Sequence, residues 1–331
     1  LKPFVPLYPS AHFLTLAGNF WPRSIDEQRY PTRAVLYPTE PGTQILVHEN
    51  RPPWKARGEV FLLHGLEGSS SSGYLISIAQ RLVSAGFAAH RVNMRSCGGT
   101  EHLTPTLYHS GLTIDPRLIL ERFRDEKRGP RFLVGFSLGG NVTLKLAGEL
   151  GDSAFHLLTG ACAVSTPIDL HACVRRLDHP SNWLYEQKFI RSLRNRYRRR
   201  HQQEPDRFPI DGLEDAETIF DFDDRFTAKH FGFGTAPNYY ATQSAINFIP
   251  GIRLPTLMIQ AKDDPMIPFD LFESEAVRGN PAVRLLASDH GGHLGYIARS
   301  RPRFWLDEVI LDWIETLLPE NSALSRNNAG V

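Results

Sequence analysis

Gly135-Phe136-Ser137-Leu138-Gly139 sets a serine between two glycines. A serine hydroxyl is a weak nucleophile until a neighbouring base takes its proton. Its flanks say where this serine would sit. Residues 131–134 are an apolar run that reads as a buried strand, and 141–147 read as a helix stopped by Gly151. Strand, sharp turn and helix are the context in which G-x-S-x-G becomes a nucleophile elbow. Glycine fits where a tight turn crowds backbones or needs positive φ. The pentapeptide alone is equally compatible with an incidental serine in a glycine-rich turn, so its partners decide.

The chemistry needs a histidine as base and a carboxylate to hold its tautomer, and on elbow-type turns the chain order is serine, acid, histidine. The acid candidates are Asp263 and Asp264, which follow an apolar strand at 256–260. That is the strand end at which ligands collect in open α/β sheets. Asp264 is preferred because Pro265 biases it towards extended geometry; a solvated Asx turn is the competing reading. The base candidates are His290 and His293, after a strand at 283–286. His293 is preferred because Gly292 and Gly295 let its backbone approach closely. No carboxylate or cysteine set stands at a recognised metal spacing, so no metal is expected. An oxyanion hole needs backbone N–H donors. Leu138, next to the serine, supplies one, and Leu66, in the loop His64-Gly65-Leu66-Glu67-Gly68, supplies the other. His64 and Gly65 are expected to brace that loop.

The elements must bring these segments together. Short β-rich runs at 33–37 and 44–48 predict a hairpin. A strand at 59–63, a helix at 74–84, a strand at 87–93, a helix at 117–124 and a strand at 157–164 follow. This alternation predicts an α/β fold with a mostly parallel sheet and helices on both faces. It breaks at 169–250, which is aromatic-rich and helical at 183–200, 213–220 and 222–230, and reads as a lid. It resumes with the strand at 256–260, a helix at 269–278, the strand at 283–286 and a helix at 303–318. The organisation is an irregular N-terminal arm at 1–30, a core at 31–168 and 251–319, a lid insertion at 169–250, and a flexible polar tail at 320–331.

Composition excludes several classes. Hydrophobic residues make up 41% and charged residues 22% of the 331-residue chain, which is ordinary for a globular protein. A net charge of +1 argues against nucleic acid as a partner. Cys97, Cys162 and Cys173 are too few for a disulfide framework or zinc site and fit a reducing compartment. No run reaches the length of a membrane span. The proline-punctuated start lacks a signal core, so a cytoplasmic setting is expected.

Three weaker signals remain. Residues 191–200 hold a dense arginine run, with Trp183, Ile190, Leu193 and Tyr197 at helical spacing. A solvated outer helix face is one reading, and a peripheral contact with anionic lipid headgroups the other. Asn93-Met94-Arg95-Ser96-Cys97-Gly98-Gly99 lacks a phosphate-loop ending and reads as bracing for the oxyanion loop. Ser110 has no strand before it and makes a poor nucleophile.

With these segments in order, the chain resembles the α/β-hydrolases. More narrowly, it is similar to the YheT-like branch, which includes eukaryotic abhydrolase-domain lipid esterases. The resemblance rests on residues 10–15, 64–70, 93–99, 108–111, 135–141, 238–240, 263–265 and 291–296. It implies the α/β-hydrolase fold, a triad of Ser137, Asp264 and His293, medium-chain or lipid acyl-ester substrates, and no cofactor. The expected activity is a serine carboxylic-ester hydrolase. An acyltransferase on the same triad and a non-catalytic lipid-binding protein are the alternatives. The departures lie in the lid, at 185–200 and 202–215, so acyl length, head group and oligomeric state stay open.

Overall fold

The computed structural model describes residues 3–319, so the flexible tail expected at 320–331 lies outside the described residues. Eight strands form one sheet: β1 (Arg33–Pro38), β2 (Gln44–Asn50), β3 (Glu59–Leu63), β4 (Ala88–Val92), β5 (Arg131–Phe136), β6 (Gly160–Val164), β7 (Thr256–Ala261) and β8 (Val283–Ser288). Their order is β1-β2-β4-β3-β5-β6-β7-β8. The hairpin β1–β2 and the β2–β4 pair are antiparallel, and every pair from β4 to β8 is parallel.

The helices are α1 (Ala11–Phe20), α2 (Gly73–Ser84), α3 (Ile114–Asp125), α4 (Leu138–Leu150), α5 (Ala154–Leu157), α6 (Leu170–Leu177), α7 (Trp183–Gln203), α8 (Ile219–Phe222), α9 (Ala228–His230), α10 (Ala236–Gln243), α11 (Glu275–Arg278) and α12 (Trp305–Thr316). Side chains alternate between sheet faces with period two. Phe61 and Leu63 of β3 enter one apolar layer with Phe123 of α3 and Val142 of α4. Val60 and Leu62 enter the other with Ile78 of α2 and Ile310 of α12. Helices therefore cover both faces, which is why the central strands are buried along their length, Arg131 at the start of β5 excepted.

Register places the site. Leu63 pairs with Gly135, and Phe136 pairs with Val164, so β3, β5 and β6 end level with one another. Ala261 pairs with Ser288, so the loops after β7 and β8 leave from the same edge. The loops that carry Leu66, Ser137, Asp264 and His293 all emerge from the carboxyl ends of parallel strands.

Four expectations need correction. The arm at 1–30 is not irregular throughout: α1 occupies its centre, with Ser10 Oγ accepting the Phe13 N–H at 3.4 Å as its cap. Leu14, Thr15 and Gly18 face inward while Phe13, Leu16 and Phe20 face out, so apolar periodicity does not mark the buried face. The helix expected at 213–220 begins only after Thr218, where a capping box with Asp221 fixes its start. The strand expected at 157–164 begins at Gly160, after α5. The helix expected at 269–278 is two pieces, broken by the extended backbone of Ser274.

Candidate active site

β5 ends at Phe136 and α4 begins at Leu138, so Ser137 alone makes the turn. Its φ is 52° and ψ −122°, a left-handed conformation held by a residue that carries a Cβ. Such strain costs on the order of 1–3 kcal/mol and persists only where the surroundings impose it. They do so here: Ser137 N–H donates to the Val164 carbonyl at 2.8 Å, and its own carbonyl accepts the Gly140 N–H at 2.8 Å. The flanking glycines serve close approach rather than positive φ. A Cβ on Gly135 would strike the Gly139 carbonyl, and one on Gly139 the carbonyls of Leu63 and His64.

His293 Nε2 lies 2.9 Å from Ser137 Oγ, and His293 Nδ1 lies 2.9 Å from Asp264 Oδ2. Asp264 is 4% exposed. Its Oδ1 accepts the N–H groups of Met266 and Ile267 at 2.9 and 3.2 Å. The Asx-turn reading thus holds for one oxygen in a buried rather than solvated loop, while the other oxygen faces histidine. Asp263 makes a separate pair: Oδ2 meets His290 Nδ1 at 3.1 Å, and Oδ1 accepts the Gly292 N–H at 2.8 Å. His290 and Asp263 therefore stand beside the serine–histidine–aspartate line, not in it.

The histidine loop rests on α1. His293 N–H donates to Thr15 Oγ1 at 2.9 Å, and a Cβ on Gly292 would meet the Ala11 carbonyl. Thr15 is a supporting residue that the sequence reading missed. Ser10 as a helix cap was the available signal.

The loop after β3 lies against the serine, since a Cβ on Gly65 would stand 2.9 Å from Ser137 Cβ. Burial holds His64 down to about 4, so it stays neutral. Its Nδ1 donates to the Gly65 carbonyl at 2.8 Å, and its Nε2 accepts the Met94 N–H at 3.0 Å. Asn93 Oδ1 accepts the Ser70 N–H at 2.9 Å, so residues 93–99 do brace this loop. Gly65 N–H donates to Tyr74 Oη, and Glu67 N–H to Tyr108 Oη, each at 2.9 Å. Among the described residues, the N–H groups of Leu66 and Leu138 have no protein acceptor.

Glu67 takes a positive φ of 55° and is held from a distance. Arg196 of α7 donates Nε–H to Glu67 Oε1 at 2.8 Å and lies over the Tyr108 ring, 4.7 Å from its centroid. No local pattern could pair residues so far apart in sequence. The same contact corrects the reading of the arginine run as a solvated outer face. Arg196 and Arg200 are buried, Arg199 pairs with Glu101, and Arg194 donates to the Glu214 and Ala216 carbonyls. Much of the run is internal bracing rather than a solvated face. Trp183 also leaves the expected stripe: it is exposed, while Ile190, Leu193 and Tyr197 are buried.

Two cavities meet at the serine. One runs among Leu170, Val174, Leu177, Leu193 and Ile219, beneath the helical segment between β6 and β7. Asp223 also lines it; burial pushes its carboxyl up to about 6, and Tyr240 donates to it at 2.8 Å. The other, wider one opens between α1 and the start of α7. Ser137, His293 and Leu66 line both. Ser110 is occupied structurally: its Oγ accepts from Tyr239 at 2.7 Å. Among the described residues no group of three or more metal-ligating side chains gathers, and no helix is long and apolar enough to cross a membrane.

Residues 59–299 match the family model of the alpha/beta hydrolase fold. The chain is 29% identical over 327 residues to YheT of Escherichia coli (strain K12), covering 96% of this chain and 95% of that one. It is 28% identical over 276 residues to phospholipase ABHD3 of Homo sapiens, covering 81% and 66%. It is 29% identical over 271 residues to the monoacylglycerol lipase of Saccharomyces cerevisiae, covering 78% and 59%. Among solved structures, the Pyrococcus furiosus esterase Pf2001 superposes with a TM-score of 0.57 at 16% identity, over 89% of this chain and 98% of that chain.

Proposed function

This chain belongs to the alpha/beta hydrolase fold family, and from that premise we propose that it is a serine carboxylic-ester hydrolase working through an acyl-enzyme. The observation that carries the proposal is the line Ser137 Oγ, His293, Asp264, with 2.9 Å at each junction. His293 Nε2 takes the hydroxyl proton as Oγ attacks the ester carbonyl. Asp264 keeps the proton on Nδ1 and faces the positive ring that results. The oxyanion is received by the N–H groups of Leu66 and Leu138. The C–O bond breaks, and His293 returns the proton to the leaving alcohol. Water, deprotonated by the same ring, then releases the acid and restores Ser137.

The apolar cavity suits the acyl chain, and 169–250 acts as the lid that encloses it, as relatives named lipase and phospholipase accord with. The wider cavity suits the alcohol part. Three buried, unpaired cysteines accord with a reducing, cytoplasmic setting.

Rapid mixing with p-nitrophenyl acyl esters tests the mechanism. One equivalent of nitrophenol per Ser137 should precede steady turnover. No burst together with no acyl adduct by intact mass would end the proposal. The opening of a second cavity onto Ser137 and His293 favours one further reading, transfer of the acyl group to an added alcohol. Product analysis in the same reaction tests it, and absence of the new ester at every alcohol concentration removes it.

The oxyanion loop yields a smaller prediction. Tyr108→Phe keeps the ring under Arg196 but removes the acceptor of the Glu67 N–H. The Leu66–Glu67 peptide loses its anchor, so kcat should fall about tenfold with KM little changed. Steady-state kinetics on a soluble ester, with a thermal melt as control, separate this from general destabilisation. A rise confined to KM would show that the loop contacts bound substrate instead.

A further inference from the structure

The outward stripe of α1 is apolar. Phe13 is 42%, Leu16 49% and Phe20 72% exposed, at i, i+3 and i+7. The first turn of α7 adds Trp183 at 58% and Leu184 at 73%. Single exposed apolar residues need no explanation, but a contiguous group marks an interaction surface. The two segments are far apart in sequence and joined in space. His12 Nδ1 meets Tyr185 Oη at 2.9 Å, the two rings stack at 5.7 Å, and Lys188 Nζ lies 5.8 Å from the Phe20 ring centroid.

What the patch surrounds identifies its occupant. Leu16, Phe20, Leu184 and Lys188 line the wider cavity that reaches Ser137. Whatever covers this face stands over the mouth of the site. The charge is complementary to an anionic surface. Lys188 and Arg191 follow Leu184 at i+4 and i+7 on the exposed side of α7, and neither forms a salt bridge among the described residues. The one carboxylate lining that cavity, Glu67, is taken up by Arg196. Apolar side chains beside unpaired cations are the composition that seats a helix in a headgroup layer.

We propose that α1 and the first turns of α7 form a docking face for an anionic lipid bilayer, with the cavity mouth turned towards the lipid. This relocates the lipid contact expected of the arginine run to residues outside most of it. The surface is independent of the hydrolytic reading, since adsorption needs no turnover.

Ser137→Ala protein, which keeps the surface and removes turnover, is sedimented with phosphatidylcholine vesicles with and without phosphatidylglycerol. Binding should be seen and should strengthen with the anionic lipid. Phe13→Glu with Trp183→Glu, neither of which lines the cavity, should weaken partition about tenfold or more on both vesicles. Arg191→Glu should weaken it about tenfold on anionic vesicles alone. The same surface changes in a Ser137 background should leave hydrolysis of a water-soluble ester unchanged. Protein that stays in the supernatant, or sediments equally with and without these changes, overturns the proposal. So does a dimer in light scattering that the Phe13 and Trp183 changes dissolve, since a second copy would then be the occupant. A catalytically silent protein that still binds vesicles would refute the hydrolase reading and leave the docking face standing.

Discussion

Replacing Ser137 by alanine should lower kcat/KM for an activated ester by on the order of 10⁵–10⁶. The substitution deletes the atom 2.9 Å from His293 Nε2 and nothing else in the line. Alanine keeps a Cβ, so the backbone at φ 52° is as strained as before, and the turn has no new reason to relax. The loop hydrogen bonds of His64, Tyr74 and Tyr108 do not involve Oγ. A residual rate above the uncatalysed one should survive, because backbone N–H donors and the cavity remain. Steady-state assay, with a melt that matches the parent, provides the measurement. Activity within tenfold of the parent would show that another nucleophile carries the reaction.

Asp264→Asn should reduce kcat by about 10⁴ at neutral pH. The amide has the shape of the carboxylate, and its oxygen can go on accepting from Met266 and Ile267. The group facing histidine then becomes an NH₂, a donor. His293 Nδ1 must present a lone pair to it, which puts the ring proton on Nε2 and points a donor at Ser137 Oγ. A ring in that tautomer cannot take the serine proton, and the positive ring formed in the reaction loses its facing charge. Asp263→Asn is the informative comparison. Its partners are His290 and the Gly292 N–H, and an amide oxygen can keep the latter, so its loss should stay below about tenfold. The larger loss in Asp263→Asn would reassign the acid.

The chain order of serine, aspartate and histidine was legible because each stands at a strand end marked by local signals. An apolar run, then Gly or Asp-Pro, is information carried within about ten residues, and the parallel register lines those ends up on one edge. The preference for Asp264 over Asp263 and for His293 over His290 also had a local basis in Pro265 and the flanking glycines. In the structure His293 meets Asp264, and His290 meets Asp263.

The contribution of α1 was hidden for a physical reason. Its buried face carries polar Thr15 and small Gly18 beside Leu14, because the histidine loop must approach its backbone closely. Most of its large apolar side chains, Phe13, Leu16 and Phe20, point to solvent. Hydrophobic periodicity therefore marks the wrong face. The arginine run misled in a related way: charge in sequence reads as solvation, whereas Arg196 is buried against Glu67 and Tyr108.

By itself the sequence determined the strand–turn–helix elbow, the alternation that builds the sheet, and the candidate acid and base, all of which depend on neighbours in the chain. Only the tertiary structure decided that α1 supports the His293 loop, that Arg196 holds the loop after β3, and that two cavities meet at Ser137. Those depend on contacts between segments separated by more than a hundred residues. Local propensity contains no term for them, and they arise only once the sheet sets which loops share an edge.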